Sequence, residues 1–215
     1  MRGILKMATT KKVYLISNGD FRDAANVVCW PMQDKTLKDV TAAFKKLGVK
    51  TEILPKYDAK KKHGFINKQC VGTEIFSKID PEAPVVIVLS GWAYSHHVSG
   101  ALQTHRGPIL LVANFDGTWP GLVALLNHAG TLARLGVKHS RLWSEKFASD
   151  KYYMKKLSDW VKTGECSHDM SHVADASKLK VSSAANSFGK KLAEDIRKHR
   201  RIMGQLDPAA MSGSV

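Results

Sequence analysis

The sequence predicts an α/β fold with a five-stranded parallel sheet and helices on both faces. Segments with strand character alternate with segments of helical periodicity five times, which is typical of βαβ units. Two predicted strands, "APVVIVLS" (83–90) and "PILLVANF" (108–115), are apolar almost throughout. This composition is typical of central strands that are covered on both faces. We therefore expect a doubly wound sheet over residues 12–165, in the flavodoxin-like order 2-1-3-4-5.

The amino-terminal half of this pattern begins with the strand "KVYLIS" (12–17), which a turn cluster follows. Apolar residues at helical spacing predict a helix over 32–48, and Gly48 ends it. "VKTEILP" (49–55) is the second strand, and residues 65–79 are expected to form a helix that Gly72 weakens.

The second half follows the two apolar strands. A helix is predicted over 120–136, with Pro120 at its start and Gly136 at its end. "VKHSRLW" (137–143) is the fifth strand, and the helix 150–164 begins at an acidic residue.

The ends of the chain differ in composition from this central part. Residues 1–11 are expected to be a flexible leader, and 166–182, rich in Ser, His, Asp and Ala, a linker. A trailing helix and the strand "IMGQLD" (202–207) then suggest that 183–215 is the start of an incomplete second αβα domain.

Composition limits the class of protein. With 215 residues, of which 44% are hydrophobic, the chain can bury a substantial core. It contains no run of 18 apolar residues, and its first ten residues are a poor secretory signal. The cysteines, an odd number at wide spacing, are typical of a reduced protein, so we expect a cytoplasmic location.

The net charge of +14 raises the question of a nucleic-acid partner. The basic residues, however, are divided among several loops and helix ends, where the helix dipole favours them. No motif of a known nucleic-acid module is present. The sequence therefore predicts neither a specific nucleic-acid partner nor a membrane partner.

Three loops are predicted to meet at the carboxyl edge of the sheet, where open parallel sheets bind their ligands. They are "SNGDFRD" (17–23), "SGWAYSHH" (90–97) and "NFDGTWPG" (114–121). The first loop lacks the glycine fingerprint of a dinucleotide fold and the Ser/Thr-rich phosphate loop of a flavodoxin. A Gly-x-Ser-x-Gly nucleophile elbow is also absent. The loops instead carry aromatic, amide and acidic side chains, which are suited to a polar small molecule.

A metal site has only weak support. His96 and His97 are adjacent in sequence, so their rings are expected to point in different directions. "ECSHDMSH" (165–172) contains a His-x3-His spacing and makes Cys166, His168 and His172 weak candidate ligands. The segment lies in the predicted linker, and an exposed polar role is the simpler interpretation.

Residues Val85 to Glu145 resemble the amino-terminal part of the L-fucose isomerase and L-arabinose isomerase family. The resemblance is carried by "SGWAYSHHVSGALQTHRGPILLVANFDGTWPGLVALLNHAGTLARLGVKHSRLWSE", and a weaker match runs from Val13 to Gly204. It implies an oligomeric enzyme whose subunits contain two αβα domains and a smaller third domain. Such enzymes interconvert aldoses and ketoses through an ene-diol, with manganese or a similar divalent ion. The resemblance places the metal ligands beyond Val215, so no catalytic residue and no cofactor is expected in this chain.

The resemblance also implies a set of sugar-contacting residues. Trp92 matches the Trp that contacts the sugar after the third strand, and an aromatic face can stack on the C–H surface of a sugar. Asn18 stands near the place of a sugar-contacting Arg, and Arg22 follows four residues later. Tyr94 matches no motif residue of the family, Trp119 stands where the family varies, and Asn114 and Asp116 are expected first to tie down their loop. With these further candidates, the complete set of expected substrate-binding residues is Trp92, Tyr94, Asn18, Arg22, Asn114, Asp116 and Trp119.

Two functional hypotheses follow. The first is the sugar-contacting portion of a metal-dependent aldose–ketose isomerase, an intramolecular oxidoreductase, which would be inactive without its catalytic half. Its partners would be an aldose or ketose and further copies of the full-length chain. The alternative is a non-catalytic binding or interaction module of the same fold.

Overall fold

The computed structural model describes residues 11–91, 96–167 and 182–203. The chain divides into two units, Met1–His168 and Asp169–Val215. Within the described residues no helix combines the length and the apolar character that crossing a bilayer requires.

The first unit is built on a five-stranded sheet in which every pairing is parallel. The strands are β1 (Lys12–Ser17), β2 (Lys50–Leu54), β3 (Val85–Leu89), β4 (Ile109–Asn114) and β5 (Ser140–Ser144). They lie in the order β2-β1-β3-β4-β5. The predicted fold class and strand order are confirmed.

The helices are α1 (Asp23–Lys46), α2 (Gln69–Ser77), α3 (Ser99–Thr104), α4 (Gly121–Arg134), α5 (Lys151–Thr163) and α6 (Ser183–Met203), and a short 3₁₀ turn spans Phe147–Ser149. Two apolar clusters separate them into layers. Residues of α1 and α5 pack on one face of the sheet, where Phe44 meets Trp160 at a ring-centroid distance of 6.1 Å. Residues of α2, α3 and α4 pack on the other face.

β3 and β4 are buried along their whole length, as their apolar sequences predict. Strands covered on both faces have no solvent side, so alternation between polar and apolar residues disappears. β1 lies between β2 and β3, and this is where the strand order reverses. The carboxyl ends of β1 and β3 are therefore the place where this fold class opens a ligand crevice.

Two helices begin at residues other than those expected. α1 starts at Asp23 rather than at residue 32 and contains Pro31 in its interior. Proline normally disfavours this position because it lacks an N–H group. Upstream of Pro31 the helix is anchored by its buried residues Asn26 and Cys29. α2 starts at Gln69 rather than at residue 65, because Ile66 pairs with Asn18 as a continuation of the sheet.

The described carboxy-terminal residues form a single helix, α6. α6 continues through Ile202 and Met203, where the sequence predicted the beginning of a strand. Residues 204–207 of that predicted strand lie outside the described residues. Three large apolar side chains of α6 are exposed: Phe188, Leu192 and Ile196.

Candidate functional site

The loop after β1 is held in place by reciprocal hydrogen bonds with the beginning of α1. The backbone N–H of Asp20 donates to Oδ1 of Asn26 at 2.8 Å, and Nδ2 of Asn26 donates to the carbonyl of Asp20 at 2.8 Å. Gly19 allows this close approach, since a Cβ on it would lie 2.6 Å from Oδ1 of Asn26 and from Cβ of Phe65. The loop is thus fixed before any ligand arrives.

Asp20 and Arg22 form an ion pair within this loop. The Nε and Nη2 atoms of Arg22 donate to the two carboxylate oxygens of Asp20 at 2.8 and 3.0 Å. The guanidinium hydrogen bond holds the pKa of Asp20 below its usual range, although burial opposes the effect. Arg22, a sequence-predicted sugar contact, is therefore engaged with Asp20 in this structure.

Asn18 lies at the carboxyl end of β1 and is buried. Its Nδ2 atom is 3.1 Å from Nε2 of His128, a fully buried residue of α4. Because an amide nitrogen only donates, Nε2 of His128 is the acceptor in this contact. The ring of His96 packs edge-on against His128 at a centroid distance of 5.0 Å. Asn18 is thus part of an amide–imidazole cluster that joins the loops after β1 and β3.

Two sequence-predicted residues belong to the segment after β3. Trp92 and Tyr94 lie outside the described residues, so their predicted sugar contacts stay predictions. On either side of them, Gly91 packs against Cys29, and His96 and His97 are half-buried. Burial raises the pKa of the Cys29 thiol to about 12.

Both histidines of this segment are neutral at pH 7. Burial lowers the pKa of His96, and Arg134 lowers it further. Burial also lowers the pKa of His97, against an opposing effect of Asp20. A neutral imidazole offers one donor and one acceptor nitrogen, which is the pattern that hydroxyl groups match.

The loop after β4 is organised by Asp116. Oδ1 of Asp116 accepts hydrogen bonds from Nδ2 of Asn114 at 3.2 Å and from the backbone and hydroxyl of Thr118 at 3.0 and 2.7 Å. Oδ1 of Asn114 faces Gly121 closely, and any Cβ at Gly121 would overlap it. Asn114 and Asp116, both expected from the sequence to bind substrate, therefore fix the conformation of this loop.

Trp119 extends from this loop to the loop after β3. Its Cε3 atom lies 3.8 Å from the position that a Cβ on Gly91 would take, and the residue is half-buried. Trp119 is thus an aromatic neighbour of the segment that follows β3.

A third group of site residues comes from the segment before α2. Asn67 is buried, and its Nδ2 atom donates to Oδ1 of Asp23 at 2.5 Å. His63 reaches the same carboxylate. Sequence analysis missed Asn67 because "FINK" reads as the start of a helix, and only the pairing of Ile66 with β1 brings Asn67 to this edge.

Several buried polar atoms around the carboxyl edge have no hydrogen-bond partner among the described residues. They are Oδ1 of Asn67, Oγ of Ser90, Nδ1 of His96, Nε2 of His97, Oγ of Ser99 and Oδ1 of Asn114. Similar atoms elsewhere belong to the buried residues Gln33, Tyr153 and Trp160. A buried polar atom without a partner costs about 1–3 kcal/mol, so the concentration of such atoms at one edge indicates a place where a ligand or water completes the bonding.

A cavity of about 20 Å³ lies between the loops after β1 and β3, bounded by Asn18, Asp20, Cys29 and Gly91. This volume suits one water molecule or one hydroxyl group. A much larger groove of about 1060 Å³ lies at the opposite edge of the sheet. There the charged side chains are already paired, Arg106 with Glu82 and Lys138 with Glu165. We therefore place the candidate site at the carboxyl edge.

No group of three or more His, Cys, Asp and Glu residues within the described ranges is arranged to hold a metal ion. Of the weak candidate ligands, Cys166 is half-buried, and its backbone N–H donates to Oγ of Ser140. Burial raises the pKa of its thiol to about 11. His168 and His172 lie outside the described residues.

No protein-family model matches the chain, and no curated protein matches it. Among solved structures, the chain is similar to the sugar isomerase domain of the RpiR transcription factor from Sphaerobacter thermophilus. The identity is 15%, the match covers 60% of this chain and 73% of that one, and the TM-score is 0.28.

The expected membership in the L-fucose and L-arabinose isomerase family is wrong. No protein-family model matches the chain, and that includes any model of this family. The physical reason is that the region of resemblance, residues 85–145, contains two fully buried strands and an apolar helix. Many α/β sheets share these features, because burial on both faces selects the same few residue types.

Proposed function

We propose that this chain is a binding module for a neutral, polyhydroxylated small molecule of the sugar class. The ligand would lie at the carboxyl edge of the sheet, against the loops that follow β1, β3 and β4. One observation carries the proposal: the buried polar atoms without partners among the described residues are concentrated there. A ligand with many hydroxyl groups can satisfy amide, hydroxyl and imidazole groups at the same time.

The electrostatics of this edge favour a neutral ligand. The carboxylate of Asp20 is paired with Arg22, and that of Asp116 accepts from Thr118 and Asn114. His96 and His97 are uncharged at pH 7 because burial lowers the pKa of each. The groups left to a ligand are therefore amides, hydroxyls and neutral rings, which bind hydroxyl groups without the cost of burying a charge.

An aromatic neighbour supports the same ligand class. Trp119 is half-buried beside Gly91, next to the cavity between the loops after β1 and β3. Aromatic side chains contact the apolar C–H face of a sugar while neighbouring polar groups bind its hydroxyls.

Ligand-observed NMR with a panel of aldoses and ketoses at millimolar concentration tests the proposal. At least one sugar should give saturation transfer from the wild-type protein, and titration calorimetry should then measure its affinity. Asn114→Ala should lower this affinity about tenfold, the order of one lost hydrogen bond to a buried partner.

Asn127→Ala is the matched control, because Asn127 is an exposed amide on α4. It should leave the affinity unchanged. The proposal fails if no sugar in the panel binds, or if Asn114→Ala and Asn127→Ala have equal effects. Circular dichroism of both variants shows that the fold is retained.

A further inference from the structure

The loop between β2 and Ile66 carries a concentrated positive charge. Residues 56–62, here named the basic loop, have the sequence KYDAKKK, and all four of their lysines are exposed. The turn at its end is tight: the backbone N–H of Lys62 donates to the carbonyl of Asp58 at 2.8 Å, and Lys62 has a φ of 60°. Three consecutive ammonium groups are thus presented from one rigid turn.

The only acid of the basic loop binds backbone groups instead of ammonium groups. Oδ1 of Asp58 accepts from the backbone N–H of Lys60 at 2.8 Å and of Lys61 at 3.3 Å. These hydrogen bonds hold the pKa of Asp58 below its usual range. Among the described residues, no carboxylate lies within 4.0 Å of the ammonium group of any lysine in the basic loop. The positive charge is therefore available to a partner.

An aromatic stack supports the same loop. Tyr57 is 54% exposed, and its ring lies 5.6 Å from that of Trp30 on α1, with an angle of 37° between the planes. Trp30 in turn meets Phe65 edge-on at 5.4 Å. A Cβ on Gly64 would lie 2.7 Å from the Trp30 ring, so the backbone at Gly64 packs directly against this ring. Tyr57 is thus an accessible aromatic side chain that packs against Trp30 and lies between Lys56 and Lys60 in the sequence.

We infer that the basic loop binds single-stranded nucleic acid, with a base stacked on Tyr57 and the adjoining phosphates next to Lys60, Lys61 and Lys62. Single strands are bound by this combination of aromatic stacking and a positively charged surface. The sequence alone argued against it, since the lysines looked like one of several dispersed groups. The supporting contact between Tyr57 and Trp30 joins residues that lie on different elements.

A single strand fits these observations better than a duplex. A duplex keeps its bases stacked on each other, so it offers phosphates but no free base for Tyr57. The inference is independent of the sugar proposal, because none of the lysines or aromatic residues that carry it belongs to the proposed sugar site.

Fluorescence anisotropy with a labelled single-stranded RNA of mixed sequence tests the inference at several salt concentrations. The wild-type chain should bind, and its affinity should fall as salt rises. Replacing Lys60, Lys61 and Lys62 together by Ala should lower the affinity at least tenfold and reduce the salt slope by about 2, since each phosphate contact on a single strand contributes about 0.7. Tyr57→Ala should weaken binding about tenfold and leave the slope unchanged, whereas Tyr57→Phe should bind like the wild type.

The matched control replaces Lys151, Lys155 and Lys162, three exposed lysines of α5, by Ala. This variant removes the same charge from a helix that is remote in sequence from the basic loop. It should change the affinity less than threefold, because long-range charge is screened. Equal losses in the two triple variants would show that the whole basic surface attracts RNA, and the assignment to the basic loop would be wrong. Wild-type affinity in Tyr57→Ala would show a general polyanion surface and overturn the inference. So would the absence of binding at low salt. Thermal melts confirm that each variant is folded.

Discussion

His63 and Asp23 are joined by a hydrogen bond between Nε2 and Oδ1 at 3.2 Å, although 40 residues separate them in sequence. The backbone N–H of Phe65 donates to Nδ1 of the same ring at 3.1 Å, so Nδ1 accepts and Nε2 carries the proton. His63 is 1% exposed, and its imidazole connects the first turn of α1 to the segment that pairs with β1. This contact fixes the position of the loop that carries Asn67.

Replacing His63 by Ala should therefore destabilise the protein. The change removes a buried ring and leaves the N–H of Phe65 without its acceptor, and we expect the free energy of unfolding to fall by about 2–4 kcal/mol. Urea denaturation measures the effect. His139→Ala is the control, because His139 is only half-buried and bonds locally to the carbonyl of Val137. A loss of similar size in both variants would contradict the structural role assigned to His63.

Stability should also decrease when the pH falls below about 6.5. Burial lowers the pKa of His96, of His97 and of His105 from the ordinary value of 6.5. The unfolded chain therefore takes up protons at a higher pH than the folded protein does, and proton uptake favours unfolding as the pH falls from 6.5 towards the folded pKa values. Denaturation midpoints at pH 7.5, 6.5 and 5.5 should decrease in that order.

The variant His105→Gln separates one contribution from the others. His105 donates through Nε2 to the carbonyl of Ala83 at 2.8 Å, and the amide of Gln can also donate. The pH dependence of its stability should be weaker than that of the wild type. Stability that is constant between pH 7.5 and pH 5.5 would show that these rings are not desolvated.

A further loss below pH 3.8 is expected from Asp20 and Asp23, whose folded pKa values are lowered mainly by hydrogen bonds from Arg22 and Asn67.

The sheet was predictable from the sequence, and the arrangement of the site largely was not. Buried parallel strands such as β3 and β4 can be recognised by their apolar composition, because both of their faces pack against other apolar residues. The contact between Asn18 and His128 spans 110 residues and depends on how α4 packs on the sheet. His128 itself looks like any polar residue in an amphipathic helix. Long-range contacts of this kind follow from packing and have no local signal in the sequence.

Gly91→Ala should destabilise the protein through a steric conflict with Cys29. A Cβ at residue 91 would overlap Sγ of Cys29, which is buried on α1. Overpacking of this kind costs about 1–3 kcal/mol. The additional change Cys29→Ala makes room, so the double variant should recover part of the loss relative to the sum of the two single changes.

Gly130→Ala is the control for this substitution. Gly130 is exposed in α4, and a Cβ there would meet no atom within 4 Å. This change should raise the free energy of unfolding by about 0.5–1 kcal/mol, because alanine is the better helix former. If Gly91→Ala were as well tolerated as Gly130→Ala, the tight packing of the segment after β3 against α1 would be refuted.

Ser90→Ala should separate ligand binding from stability. Ser90 follows β3, is 1% exposed, and its Oγ has no hydrogen-bond partner among the described residues. Removing a buried hydroxyl without a partner relieves its desolvation cost, so the free energy of unfolding should stay constant or rise by up to about 1 kcal/mol. The affinity for the sugar found by NMR should nevertheless fall about tenfold, because the ligand loses a hydrogen bond to a buried group. Sites that bind ligands often contain such a conflict between stability and function.

Ser140→Ala should behave in the opposite way. Ser140 is also buried, but its Oγ accepts from the backbone N–H of Cys166 at 2.9 Å, at the other edge of the sheet. Its loss should lower the free energy of unfolding by about 1–3 kcal/mol, since a part-buried donor is left without its partner, and should not change the sugar affinity. Paired urea melts and calorimetric titrations on both variants decide the matter. If Ser90→Ala destabilises the protein as Ser140→Ala does and binds sugar like the wild type, its hydroxyl belongs to the packing of the core and Ser90 is not part of the proposed site.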